Sequence, residues 1–323
     1  MTLDIYFPRF APFLLNGHQT PAFAKLCALG SWHRDEDHPV EASLCRQFGL
    51  SKQQDWPLAL MSALGEGLVV DAAYLLLLHP ANFLLQRDFF SFGEPLALSH
   101  DEKTTLIQTL NNHFTEDGFR LISGASLSSC YLAVKREVEV STTLVSQGMG
   151  RDVGPMMPQG KDGMTFQSLI NEAQMLLHEH PINQARERQG LPLVNSIWLS
   201  GGGALDALPK AAHQQDFIVF ANDHLSQGLA KWAGIACYSL TGLDEVAASG
   251  NDAVIVLEDA GDLERDWFAP LLKALQSRMV KNVRCHFDVH GMTYTLTLKP
   301  MDTWKFWKKT LKPESYFKMG EAG

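Results

Sequence analysis

The densest set of chemically capable side chains lies between residues 171 and 203, NEAQMLLHEHPINQARERQGLPLVNSIWLSGGG. It holds His178 and His180, the asparagines Asn171, Asn183 and Asn195, the arginines Arg186 and Arg188, and three successive glycines, Gly201, Gly202 and Gly203. Histidines two apart point in different directions on a helix, and a helical zinc site needs an i, i+4 pair, so this spacing argues against a metal. His180 reads as a structural residue at a helix end, where a cation is favoured. The arginines suggest other chemistry. Guanidinium groups clamp anions, and the N–H groups of a glycine-rich turn approach a phosphate closely. The glycines match neither G-x-x-x-x-G-K-[ST] nor G-x-G-x-x-G. Asparagines beside the break at Pro181 suit bonds to interrupted backbone. The expected ligand-binding set is therefore Asn171, His180, Asn183, Arg186, Arg188, Asn195, Gly201, Gly202 and Gly203.

Two other clusters compete. Asp259, Asp262, Glu264 and Asp266 fall in LEDAGDLERD, which reads as a solvated helix start or, more sharply, as a divalent-metal site. WHRDEDH at 32–38 carries two histidines and three acids at a spacing that suits no helical or strand metal site, so a charged surface loop is expected. The five cysteines, Cys27, Cys45, Cys130, Cys237 and Cys285, are scattered and odd in number, as free thiols in a reducing compartment would be.

The elements that must position these groups follow from periodicity. The clearest helix is 165–179, where Phe166, Leu169, Ile170, Ala173, Leu176 and Leu177 form one apolar stripe. Pro181 breaks it and can start a second helix, 181–189. An apolar strand, 195–200, then turns through the glycines. Strands are also expected at 3–7, 68–78 (ended by His79-Pro80), 95–98, 119–123, 130–135, 217–220, 236–240 and 253–257. Helices are expected at 22–29, 39–48, 57–64, 99–112 and 223–233. Residues 283–289 and 293–298 flank a glycine turn as a β-hairpin. Residues 141–163, rich in Gly, Pro and Ser, read as a mobile loop or lobe boundary. The order implies an α/β protein with a mostly parallel sheet, covering helices, a smaller α+β lobe and a C-terminal hairpin. The expected division is 1–100, 101–163 and 164–323. The basic, aromatic tail WKFWKKTLKPESYFKMG has the composition to touch an acidic lipid or a partner, but is expected to pack its tryptophans on its own domain and snorkel its lysines.

Composition adds exclusions. A formal net charge of -9 disfavours a nucleic-acid surface. No apolar run reaches spanning length and no secretory signal pattern is present, so a cytoplasmic protein is expected.

The segment HPINQARERQGLPLVNSIWLSGGG resembles the corresponding stretch of archaeal-type cofactor-independent phosphoglycerate mutases, members of the alkaline phosphatase superfamily. HLSQGLAKWAGIACYSLTG is similar to their next helix and strand. The segments DAAYLLLLHPANFLLQRDFF and LNNHFTEDGFRLISG extend the likeness to a bacterial group described as RpfE-type regulatory, phosphoglycerate-mutase-like proteins. The resemblance implies an alkaline-phosphatase-like core, two divalent metals held by aspartates and histidines, and a phosphoryl-carrying serine. The chain departs from it at the metal ligands. The family's D-G-x-x-D after the first strand is replaced by YFPRFAPF. In VIVLEDAGDLERD, Leu257 stands where the first histidine belongs and Asp262 where the second does, with Asp259 and Gly261 retained. The family's C-terminal D-H-x-T-P run has no counterpart. Two-metal phosphoryl transfer needs both ions about 4 Å apart, so the expectation is a catalytically degenerate relative. It would lack a resident cofactor, keep Asp259 and Asp262 as residual metal candidates, and bind a phosphorylated small molecule or a protein partner as a regulator. The alternative is an active metal-dependent phosphoryl-transfer enzyme, using Mn or Mg on ligands rebuilt from His18, His33, His38, His286, Asp288 and His290.

Overall fold

The structure, a computed structural model, describes residues 1–15, 20–35, 38–93, 96–127, 129–148, 151–210, 216–258 and 261–317. Its strands, in chain order, are β1 (Thr2–Phe7), β2 (Ser31–Asp35), β3 (Tyr74–Ala81), β4 (Phe83–Leu85), β5 (Phe90–Phe92), β6 (Phe119–Ser123), β7 (Cys130–Val134), β8 (Ser196–Ala204), β9 (Phe217–Phe220), β10 (Cys237–Tyr238), β11 (Asp252–Val256), β12 (Asn282–Val289) and β13 (Met292–Leu298). The chain forms two compact units, Met1–Gly49 with Ala211–Gly323, and Leu50–Lys210. The division expected from sequence at 100 and 163 falls inside the second unit. Its sheet joins β3 to β8, strands more than a hundred residues apart, and no local pattern reports such a pairing.

The first unit is built on a seven-stranded sheet in the order β10-β9-β11-β1-β12-β13-β2. The five strands from β10 to β12 are parallel, and β13 and β2 add antiparallel at one edge. This is the expected mixed α/β architecture with a mostly parallel sheet and a C-terminal hairpin. β1 is central and buried on both faces, with Leu3, Ile5 and Phe7 alternating with Asp4 and Tyr6. Leu3, Ile5 and Phe7 lie in one core with the Pro21–Leu29 and Ala269–Gln276 helices. Asp4 and Tyr6 take the opposite face, on the side of the Val40–Gln47 helix. WHRDEDH is a correction. Its first half is edge strand β2, paired to β13, with Trp32 packed on Tyr316 and Phe317. Charged side chains on an edge strand discourage further pairing.

The second unit has an antiparallel sheet, β6-β7-β3-β8, packed by the helices His100–Phe114 and Gly163–His178. Ser99 caps the first of these in a full capping box with Glu102, as the sequence pattern signals. β3 runs through His79-Pro80 to Ala81 instead of stopping there. Past Leu77 it has no β7 partner, so the missing N–H of Pro80 costs no ladder bond on that side. Residues 96–98 form no strand. The 141–163 segment is fastened where Asp55 accepts hydrogen bonds from the Thr142 backbone N–H and hydroxyl.

Candidate functional site

In open parallel sheets ligands bind beyond the carboxyl ends of the strands, so that end of the first unit comes first. β1 leaves the sheet through Phe7-Pro8-Arg9-Phe10, and β11 through Val256 and the buried Leu257. Phe10 is 1% exposed. Its ring lies 4.4 Å from that of Phe287, 5.3 Å from Phe23, 5.6 Å from Phe7 and 5.7 Å from Phe317. Arg9 and Glu258 form an exposed ion pair at 2.9 Å.

The nearby acids serve backbone. The Glu264 carboxylate accepts the first N–H groups of the Pro21–Leu29 helix, from Ala22 at 2.6 Å and Phe23 at 3.1 Å. This satisfies donors that a helix start leaves unpaired. Asp262 accepts from the Arg265 N–H at 3.1 Å, and Asp266 pairs with the Arg265 guanidinium. Asp259 lies outside the described residues. Phenylalanine rings and a cap carboxylate do not fit a hard divalent cation, which takes oxygen ligands.

The opposite sheet face holds the first unit's buried polar row. Asp4 receives a bidentate hydrogen bond from Arg284, 2.6 Å for Nη2–H to Oδ2, and its Oδ1 lies 3.4 Å from His286 Nε2. His286 Nδ1 is 3.0 Å from the Thr295 hydroxyl, and its ring stacks on Tyr6 at 4.4 Å. Burial alone would raise the Asp4 carboxyl, but hydrogen bonds from His286 and Arg284 outweigh it and hold the group below the usual carboxylate range. Asp288, on the same strand face, is pushed up to about 8 by burial and then by the charge of Glu41, against an opposing hydrogen bond from the Gly291 N–H.

A cleft of roughly 370 Å³ opens beside this row, lined by Asp4, Arg284, Gln47, Asp216, Asn282 and neighbours. It sits at the amino ends of β1, β9, β11 and β12, the end where parallel sheets rarely bind ligands.

Of the alternative metal ligands, His286 and Asp288 share this face, but the Arg284 cation beside Asp4 works against a second cation there. His33 is exposed on β2, His38 Nδ1 is 2.8 Å from Asp35, and His290 occupies the left-handed turn of the hairpin with φ 53°. His18 lies outside the described residues. Among the described residues no three His, Cys, Asp or Glu side chains group as metal ligands. The five cysteines are free, four of them buried.

The 171–203 stretch lies in the second unit, and His180, Asn183 and Arg186 face inward. His180 ends one helix and caps the next, Pro181–Arg188. Its Nδ1 accepts from the Ile182 N–H at 3.3 Å and its Nε2 is 2.9 Å from the Thr109 hydroxyl. Burial lowers its pKa, so it acts as a neutral cap and not as the expected helix-end cation. The Asn183 amide donates to Leu177 and Val194 carbonyls and accepts from the Val194 N–H, all at 2.8 Å. Asn195 exchanges two bonds with the Phe83 backbone.

Arg186 is 2% exposed. It donates to the Pro192 carbonyl at 2.6 Å, the Ala97 carbonyl at 3.2 Å and the Glu102 carboxylate at 2.9 Å. Arg188 is exposed and donates to the Gln184 carbonyl, and Asn171 is exposed on its helix.

The glycines do not form a turn after the strand; they lie within β8. A Cβ on Gly202 would stand 2.6 Å from the Tyr74 ring and one on Gly203 2.5 Å from Pro57, while Gly201 adopts φ 61° beside Leu58. Their role is close approach of strand, helix and ring, with a bulge against β3 between Leu75 and Leu77. The side chains proposed to hold an anion are thus committed to protein partners or turned outward, and the geometry does not converge them. Asn183 bonds interrupted backbone as its place beside Pro181 suggests, whereas the buried pairing of Arg186 with Glu102 was not expected; its signal was that Arg186 lies on the same helix face as buried Ile182.

No protein-family model matches the chain. A 2,3-bisphosphoglycerate-independent phosphoglycerate mutase from Methanosarcina acetivorans is 28% identical over 233 residues, 63% of this chain and 57% of that protein. The corresponding mutase from Methanosarcina mazei is 30% identical over 142 residues, 43% and 36% of the two chains. The chain is distantly similar to these mutases. It spans only 36% to 57% of the length of these two relatives. The solved cofactor-independent phosphoglycerate mutase of Thermoplasma acidophilum superposes with a TM-score of 0.44 at 14% identity, covering 97% of this chain and 94% of that one. No helix among the described residues is long and apolar enough to cross a membrane.

Proposed function

We propose that the chain is a catalytically degenerate relative of the metal-dependent phosphoglycerate mutases, with an alkaline-phosphatase-like core put to regulatory use in a bacterial cytoplasm. It acts by binding a phosphorylated metabolite or a protein partner and carries out no phosphoryl transfer. One observation carries the reading. Where the resemblance puts the first acidic metal ligands, after β1, the chain places Phe10 in a packed cluster of phenylalanines. A carboxylate there would be buried among apolar rings, at a cost of several kcal/mol unless an ion paired it. The loss of ligands is therefore built into the core and would take more than one substitution to reverse. Leu257, buried at the end of β11, supports the same reading.

Calorimetric titration of the full chain with Mn²⁺ and with Mg²⁺ tests it. The expected outcome is no saturable heat from a pair of ions. Stoichiometric binding of two ions, lost in Asp259→Ala, contradicts it.

A further inference from the structure

The tail was expected to pack its tryptophans on its own domain; Tyr316 and Phe317 do pack there, but Trp304 and Trp307 do not. Trp304 is 63% exposed, Trp307 68%, Phe306 89% and Met301 78%. The backbone here is a short turn, with the Phe306 N–H bonded to the Trp304 carbonyl and the Lys308 N–H to that of Lys305. The turn pushes its large apolar side chains into solvent. The charge is equally distinctive. Between residues 299 and 312 stand five lysines and one aspartate, in a chain of formal net charge -9. Asp302 is taken up by the Lys299 N–H and the Lys305 ammonium, and Lys308, Lys309 and Lys312 are exposed. Arg278 adds a further cation over the Trp304 ring, 5.5 Å from its centroid.

We infer that the 301–312 turn docks the protein onto an anionic lipid surface. Tryptophan and phenylalanine settle at the level of the headgroups. Lysines beside them meet the negative surface potential and extend their charged ends into the headgroup layer. Charge complementarity selects an anionic partner, and the form of the turn selects a fluid one. Phe306 is 89% exposed, with its ring edge-on to that of its exposed neighbour Trp307 at 5.3 Å. It therefore lacks the rigid surround that holds a protein-interface anchor in one shape. A bilayer needs no such shape, and interfacial binding needs no spanning helix.

Co-sedimentation of the full chain with vesicles tests this, comparing phosphatidylcholine alone with phosphatidylcholine plus phosphatidylglycerol. The expected result is binding to the anionic vesicles, weakened by salt and weak on phosphatidylcholine alone. Lys308→Glu with Lys309→Glu lowers partitioning by at least about tenfold. Phe306→Ser with Trp307→Ser abolishes it. All four side chains are exposed, so thermal melts of both variants should match the parent. No binding, equal binding to both vesicles, or binding that survives the aromatic pair overturns the inference. So does a lipid-free dimer in sedimentation that the aromatic pair dissolves, because the turn is then a protein interface.

Discussion

The 180–203 stretch and the carboxyl ends of β1 and β11 use their residues in opposite ways. The stretch is rich in polar side chains, and three of them turn inward: Asn183, Asn195 and Arg186 bind backbone carbonyls and N–H groups across loops and helix ends. The strand ends are where a parallel sheet offers a ligand site, and they are filled with phenylalanine. Polar density in the sequence therefore marks the places where backbone needed partners. Chemistry depends on whether donors and acceptors are left over. Buried polar groups must be satisfied, and an arginine that satisfies three neighbours has little left for a ligand.

Substitutions distinguish the two regions. Phe10→Ala should have the largest effect, a loss of about 4 kcal/mol in urea unfolding, because it removes the ring on which six others pack. If that position were instead a tolerant, solvated site, the loss would be under about 1 kcal/mol. Arg186→Ala should cost about 3 kcal/mol, since it strips the Pro192 and Ala97 carbonyls and the Glu102 carboxylate of their donor. Added phosphate should shift the melting temperature of neither parent nor variant. A phosphate-dependent rise in the parent alone would return Arg186 to the role of anion clamp.

Asp288→Asn should have the smallest effect and the opposite sign. The folded carboxyl keeps its proton up to about 8, whereas the unfolded one releases it near 3.8. Between these values the folded state binds more protons, so stability falls as pH rises across the window. Asparagine keeps the acceptor for the Gly291 N–H and removes the titration. The variant should therefore gain on the parent with rising pH, by about 1 kcal/mol or more at the upper end. A gap independent of pH would show that Asp288 is ionised in the fold.

Much of the fold was legible because it rests on local patterns. The capping box at Ser99, the stripe from Phe166 to Leu177 and the hairpin around Gly291 are all written within a few residues. What could not be read depends on partners distant in sequence. Gly201–Gly203 looked like a turn because three glycines usually are one. Their reason is the approach of Tyr74 and Pro57, more than a hundred residues earlier. Pro80 looked like a strand end because nothing nearby reveals that β3 loses its β7 neighbour at Leu77. WHRDEDH looked like a loop because an edge strand need not alternate in polarity. The departures from the mutase pattern at YFPRFAPF and Leu257 were legible in the sequence. That phenylalanine rings fill the place required the structure.

The most direct measurement is interconversion of 3-phosphoglycerate and 2-phosphoglycerate by the full chain with Mn²⁺ or Mg²⁺. A catalytically degenerate chain gives no turnover above the protein-free background. Turnover that a chelator abolishes, and that Asp259→Ala abolishes as well, would contradict it.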